Sequence, residues 1–449
     1  MKKHFGQFAI ATLLFSLIIG AANADGILIS NVTVIDGTGR APVVDAFVLV
    51  EDEMITRIAT SPLAAPDGVR IVDGDGKFLV PGLMDLHIHL MGGTEVDIDG
   101  LRSATIDREK GLRALHSYIY AGVTSVFDSG NNPEFIFGLR KDERDGAIMA
   151  PRIFATGSIV TYPGSHGSSD VAVHIDDWPE GIPILDAYLD TEPDVVKLTF
   201  EERGWGARET IPMFPLPLMQ TVIEYLNDAG VRTVVHTSSE RRARQAMFAG
   251  IDNLAHPVIQ GPVTAEFAAL MGAKKVPMVT TLTIGENYSR LAEQPEYLDQ
   301  PLYRAVLTAD EIEELKTVTR KEYQERTWTW WMKIMTEVAQ ENVFKIHEAG
   351  GLLCAGSDQT RGTDLHRELE LLADAGISNL DIIRIATLNC ARFLGREDDL
   401  GSIEAGKLAD MVLVDADPVA DINNLKKISA VIKGGQLVDR SKLDLPVNQ

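Results

Sequence analysis

Residues 79 to 90 read LVPGLMDLHIHL, an apolar run into which Asp85, His87 and His89 are set. Burying polar side chains costs several kcal/mol unless they find partners. These three therefore either satisfy one another in a core or hold something that needs them. Side chains alternate along a strand, so His87 and His89 point the same way, and Asp85 shares their face one layer deeper. A histidine pair of this kind suits a divalent metal, and Asp85 then orients a histidine or serves as a buried hydrogen-bonding group. Four more residues have the same character: Lys197, His236, His256 and Asp358. A lone buried histidine is more often a satisfied core residue, and Asp358 after Gly356-Ser357, taken alone, reads as a helix cap before it reads as a catalytic group. Lys197 is harder to explain in that way. It lies within DVVKLTF, whose two faces both read as buried, and lysine is almost never buried with its charge unpaired.

Such residues need strands that end at one place. Eight short segments have the composition of buried parallel strands: 82–88, 122–128, 151–157, 194–200, 231–237, 251–257, 276–282 and 352–358. Most are separated by amphipathic, helix-like stretches. An Ala-Gly pair at 121–122, 229–230, 249–250, 349–350 and 375–376 marks helix ends, where glycine fits a left-handed cap. Eight β–α repeats predict an α/β chain with a (β/α)8 TIM-like barrel, whose reactive groups gather at the C-terminal strand ends. His87, His89, Lys197, His236, His256 and Asp358 all fall at or near such ends. No Gly-x-Gly-x-x-Gly follows the first strand, which counts against dinucleotide binding. Alternating short strands at 26–80 and 401–438 predict a small β-sandwich-like domain built from both chain ends. The expected partition is a signal peptide at 1–24, small-domain segments at 25–80 and 401–440, the barrel at 81–400, and a tail at 441–449.

The 449 residues carry a formal net charge of −23, which argues against nucleic acid and anionic membranes as partners. Lys2 and Lys3, the apolar stretch 8–22 and Ala22-Asn23-Ala24 form a secretory signal, with cleavage expected after Ala24 and a periplasmic or secreted location. No stable membrane insertion is expected afterwards. The two cysteines, Cys354 and Cys390, allow one disulfide and no disulfide framework.

The combination of PGLMDLHIHL, the lysine of DVVKLTF, His236, His256 and Asp358 resembles the metal-dependent amidohydrolase superfamily. The stretch NCARFLGREDDLGSIEAGKLADMVLVDADP is similar to that family's return into its small β-domain. The resemblance implies a binuclear centre of two divalent ions, zinc the expected metal. In it His87, His89 and Asp358 bind one ion and His236 and His256 the other. Lys197 bridges them as a carbamate formed from carbon dioxide. It implies further that a metal-bridged hydroxide hydrolyses an amide, peptide or cyclic amide, with Asp358 as proton shuttle. A lactonase or other ester hydrolase, and a metal-dependent binding protein without turnover, are the alternatives. Deaminase chemistry is disfavoured, because such relatives typically use one metal and lack the strand-four lysine.

A small-molecule substrate is the expected partner, with homo-oligomerisation left open. Tyr162 and His166 lie in YPGSHG after strand three, which is similar to a loop of prolidase-like dipeptidases. Arg203 and Trp205, after strand four, depart from that dipeptidase pattern. With Tyr288 they complete the candidate substrate-binding residues. The long connection between strands seven and eight exceeds what a barrel loop needs, so residues 283–350 are a candidate lid. Trp328, Trp331 and Met335 share helical spacing there, for which core packing is the default reading.

Overall fold

The computed structural model describes residues 26–90, 94–96, 102–104, 106–203, 205 and 210–449. The expected signal segment lies outside these residues. Eight parallel strands form the centre: β1 (Leu83–Ile88), β2 (Val123–Asp128), β3 (Arg152–Ala155), β4 (Val195–Thr199), β5 (Arg232–His236), β6 (Asn253–Leu254), β7 (Met278–Val279) and β8 (Leu353–Cys354). One ladder joins β3, β2 and β1, and a second runs consecutively from β4 to β8. Backbone hydrogen bonds connect the two ladders on both sides. Asp194 N–H donates to the Ala155 carbonyl at 2.9 Å, and Leu86 N–H donates to the Ala355 carbonyl at 3.0 Å. The eight strands thus close into the (β/α)8 barrel.

Strand burial explains why the apolar runs were readable. Every residue of β1, β2 and β4 is buried. Lys197 of β4 and His87 of β1 are therefore enclosed with Val195, Leu86 and Ile88. β6, β7 and β8 are only two residues long, shorter than the apolar runs that contain them. Their C-terminal ends leave the ladder early, so His256 and Asp358 sit on the turns beyond. All five Ala-Gly marks carry a glycine of positive φ, between 79° and 101°, as the helix-cap reading requires.

Both chain ends build one further sheet. Strands Gly26–Val34, Val43–Glu51, Met54–Ala59, Arg70–Asp73 and Phe78–Pro81 join Met411–Val414, Ile428–Lys433 and Gln436–Leu437. The expected sandwich is a single eight-stranded sheet curled over its own apolar core, which includes Ile29, Val48, Leu79, Met411 and Ile432. Met411–Val414 lies antiparallel to Phe78–Pro81 and fastens the end of the chain to the strand that leads into the barrel.

The connection from β7 to β8 is largely helical, with its longest helix at Thr327–Glu348. Met335 is buried in the barrel core, and Trp328 and Trp331 pack against that core, in line with the packing reading. Cys354 and Cys390 are both buried as free thiols. Among the described residues, no helix is long and apolar enough to cross a membrane.

Candidate metal centre

β1 carries the first part of the site. The His87 ring nitrogen Nδ1 lies 3.2 Å from the Ala255 carbonyl, and His89 Nδ1 lies 2.9 Å from the Gly130 carbonyl. A carbonyl oxygen only accepts, so each Nδ1 carries the proton and each Nε2 presents a lone pair. Those Nε2 atoms stand 3.8 and 3.5 Å from Asp358 Oδ1. Ligand atoms of His87, His89 and Asp358 all fall within 4.8 Å of one another, a grouping able to hold a metal ion.

Asp358 reaches this point from a left-handed backbone, φ 52°, and its N–H donates to the His87 carbonyl at 2.7 Å. Asp85 braces the same turn. Its carboxylate accepts from Ser357 N–H at 2.9 Å, from the Ser357 hydroxyl at 2.6 Å and from His87 N–H at 3.3 Å. It therefore orients the backbone of two ligand-bearing strands and not a histidine ring. Complete burial pushes the Asp85 carboxyl up to about 7, against the pull of the Ser357 bonds.

Lys197 stands beside this group, with Nζ 3.2 Å from His87 Nε2. Loss of water pulls its amine down to about 7, opposed by the Asp358 and Asp128 carboxylates. An amine so placed has a substantial neutral fraction near neutral pH, which frees its lone pair.

The other side is a cluster of rings. The His236 and His256 centroids are 4.5 Å apart, and His256 is 4.4 Å from His87. His166 stacks on His236 at 4.0 Å, and Trp205 stands edge-on to His236 at 5.0 Å and to His256 at 4.5 Å. His256 Nδ1 meets the Thr281 hydroxyl at 2.9 Å. Nε2 of His236 is buried without a hydrogen-bond partner among the described residues. Burial first, then neighbouring basic groups, hold His87, His236 and His256 well below the usual imidazole range. Neutral imidazole is the metal-binding form. Imidazole lone pairs, a carboxylate and an orphaned buried nitrogen make a donor set suited to divalent metals such as zinc.

The remaining candidates divide. His166 and Trp205 join the ring cluster. Tyr162 turns its ring edge toward Phe214, 6.1 Å away, and Tyr288 packs on Tyr323 at 4.8 Å. Arg203 is exposed, and its backbone N–H donates to Glu201 at 3.0 Å. These contacts of Tyr162, Tyr288 and Arg203 are not with the histidine cluster. Trp331 of the long connection donates its indole N–H to the Trp205 carbonyl at 3.4 Å.

Comparison with known proteins gives the family and the fold. The model of the Amidohydrolase family matches residues 78–438. The chain belongs to the amidohydrolase family. It is thus a hydrolase of carbon–nitrogen bonds, in a family that generally uses divalent metals. Imidazolonepropionase of Caldanaerobacter subterraneus subsp. tengcongensis is 22% identical over 413 residues, covering 83% of this chain and 84% of that protein. Among solved structures, a Xaa-Pro dipeptidase with bound methionine superposes with a TM-score of 0.71 at 23% identity, over 92% of this amidohydrolase and 100% of that chain. Molinate hydrolase superposes with a TM-score of 0.71 at 21% identity, over 94% and 96% of the two chains. At these identities the structures speak for the fold.

Several supporting residues escaped the sequence reading. Asp128, the last residue of β2, accepts from Leu90 N–H at 2.8 Å and from Gly130 N–H at 3.1 Å, bracing the turn whose carbonyl holds His89. Glu201 lies just past β4 and is buried; it accepts from Ser238 N–H at 3.1 Å, two residues beyond His236. Both are acids at C-terminal strand ends, so their position was a usable signal. Thr281 gave none.

Proposed function

We propose that this amidohydrolase is an exported binuclear enzyme acting on an amide, peptide or cyclic amide. His87, His89 and Asp358 would hold one divalent ion and His236 and His256 the other, zinc being the expected metal. Lys197, as a carbamate, would lie between them. The observation that carries this reading is the 3.2 Å approach of the buried Lys197 amine to His87 Nε2, amid four histidines and Asp358. Attack of the neutral amine on carbon dioxide, with one proton lost to water, turns an amine whose charged form burial disfavours into an anionic oxygen donor. Ions bound there would supply a water activated near neutral pH and polarise the scissile carbonyl.

The side chains have separate tasks in this reaction. Asp358 accepts a proton from the attacking water and passes it to the departing nitrogen, acting as base and then acid. Asp85 keeps Asp358 aimed through Ser357, and the carbonyls of Ala255 and Gly130 fix the protonated nitrogens of His87 and His89. His166 and Trp205 form the wall against which the substrate would bind, Trp205 with its apolar ring and His166 by hydrogen bonding. Trp331 of the helix Thr327–Glu348 would back that wall through its hydrogen bond to the Trp205 carbonyl.

Metal analysis on zinc-loaded protein tests this, together with a screen of dipeptides, N-acyl amino acids, hydantoins and lactones. About two ions per chain and turnover of an amide class are expected. Turnover of lactones alone would favour the ester reading. Tight metal binding with no turnover of any class would favour a binding protein. The mature exported chain is expected to begin at Asp25, which N-terminal sequencing reads directly.

A further inference from the structure

Thr281 occupies the left-handed region, with φ 30° and ψ 43°, where a β-branched side chain is seldom found. Such a conformation persists only where the surroundings over-determine it, and it tends to mark a functional position. Thr281 immediately precedes the helix Leu282–Glu293, yet its side chain makes no capping bond to that helix. The hydroxyl is turned instead to His256, 2.9 Å from Nδ1.

Glu368 supplies the constraint. It lies in the helix Gly362–Asp374 beyond β8 and is fully buried. One carboxylate oxygen accepts from the Thr280 hydroxyl at 2.6 Å and from Leu282 N–H at 3.0 Å. The other accepts from Thr283 N–H at 2.8 Å and from the Thr283 hydroxyl at 2.6 Å. The carboxylate thus grips the residues on both sides of Thr281 and leaves the Thr281 hydroxyl for the histidine. Burial raises the Glu368 carboxyl, while these four bonds draw it back toward the charged form.

His87 and His89 have their protonated nitrogen set by carbonyl oxygens, whereas His256 meets a hydroxyl, which can donate or accept. We propose that Glu368 and Thr281 are positioning residues for His256: Glu368 clamps the turn after β7, and the Thr281 oxygen accepts the Nδ1 proton, leaving Nε2 to ligate a divalent metal. This rests on reading His256 as a ligand of the second ion. The partner of a ligating histidine's other nitrogen typically changes metal affinity by about ten- to hundred-fold.

Thr281→Val removes the hydroxyl at nearly constant shape, and Thr281→Ser keeps it. Two measurements apply to each: zinc affinity of both positions by chelator competition, and the His256 tautomer in the metal-free protein by nitrogen-15 NMR. In Thr281→Val the ion assigned to His236 and His256 is expected to lose about ten- to hundred-fold in affinity. The Nδ1–H tautomer should lose population, and Thr281→Ser should restore both. Wild-type affinity and tautomer in Thr281→Val would overturn the relay, as would a serine variant as defective as the valine one. Should the valine variant fail to fold, Glu368→Gln is expected to weaken the same ion, and unchanged affinity there would refute the clamp. If wild-type protein takes up no second ion, the metal reading of His256 fails and the relay with it. An unchanged tautomer in Thr281→Val beside two bound ions in wild type overturns the relay alone.

Discussion

The two sides of the candidate centre are built differently. Around His87, His89 and Asp358 the constraints come from backbone: two carbonyls hold the rings, and Asp85 and Asp128 hold the turns through N–H groups. Around His236 and His256 they come from side chains: a hydroxyl on one ring, stacked rings on the other, and a buried nitrogen without a partner among the described residues. Backbone partners move only when strands move, whereas side chains can rotate. In the proposed centre the first side would hold its ion in one geometry. On the second side His236 would keep freedom to adjust, while Glu368 clamps the turn that carries Thr281, the partner of His256.

That contrast can be broken by substitution. The largest effect is expected for Asp358→Asn, with turnover falling by about 10²–10⁴-fold while most bound metal stays; equal losses of metal and rate would assign Asp358 to ligation alone. Lys197→Ala spans both sides and should cost both ions, by about ten- to hundred-fold in affinity; full stoichiometry at wild-type affinity would remove it from the bridge. Asp85→Ala leaves Ser357 and His87 N–H groups unpaired in the interior and should destabilise the fold by about 2–4 kcal/mol. Its metal defect should fall on the first ion only, as chelator competition would show, and an equal defect in both would erase the distinction drawn here. The smallest effect is expected for Trp205→Ala, with KM raised several-fold, kcat and metal content nearly kept, and stability changed by about 1 kcal/mol or less. A Trp205→Ala protein that loses the second ion would mean that the ring packs the ligands and does not face substrate.

The barrel was legible because its strands are enclosed on both faces, so buried composition alone marks β1, β2 and β4, and because the Ala-Gly pairs sit at true helix ends. The candidate ligands were legible because His87, Lys197 and His236 are polar residues inside the apolar runs of β1, β4 and β5. Their supports were hidden for a physical reason. Glu368 looks like any polar position of an amphipathic helix, and its four hydrogen bonds come from three residues, Thr280, Leu282 and Thr283, far away in sequence. A turn braced by a distant carboxylate leaves no periodicity, and Thr281 betrays itself only through its backbone angle. Asp85 was visible with two readings open, and its contacts match the buried hydrogen-bonding one, because sequence gives the face of a strand and not which backbone N–H a carboxylate will meet.

The curled sheet bears on how the chain is made. Met411–Val414 is the antiparallel neighbour of Phe78–Pro81, so a growing polypeptide must leave that inner strand uncovered until the whole intervening barrel has emerged. An uncovered strand is a template for pairing with another chain. Premature termination anywhere in the barrel would therefore release a product with an open edge beside an unfinished core, and its hazard would be aggregation as much as lost activity. The strands that follow the barrel close the sheet as a clasp closes a bracelet, which ties the chain's freedom from aggregation during synthesis to their arrival.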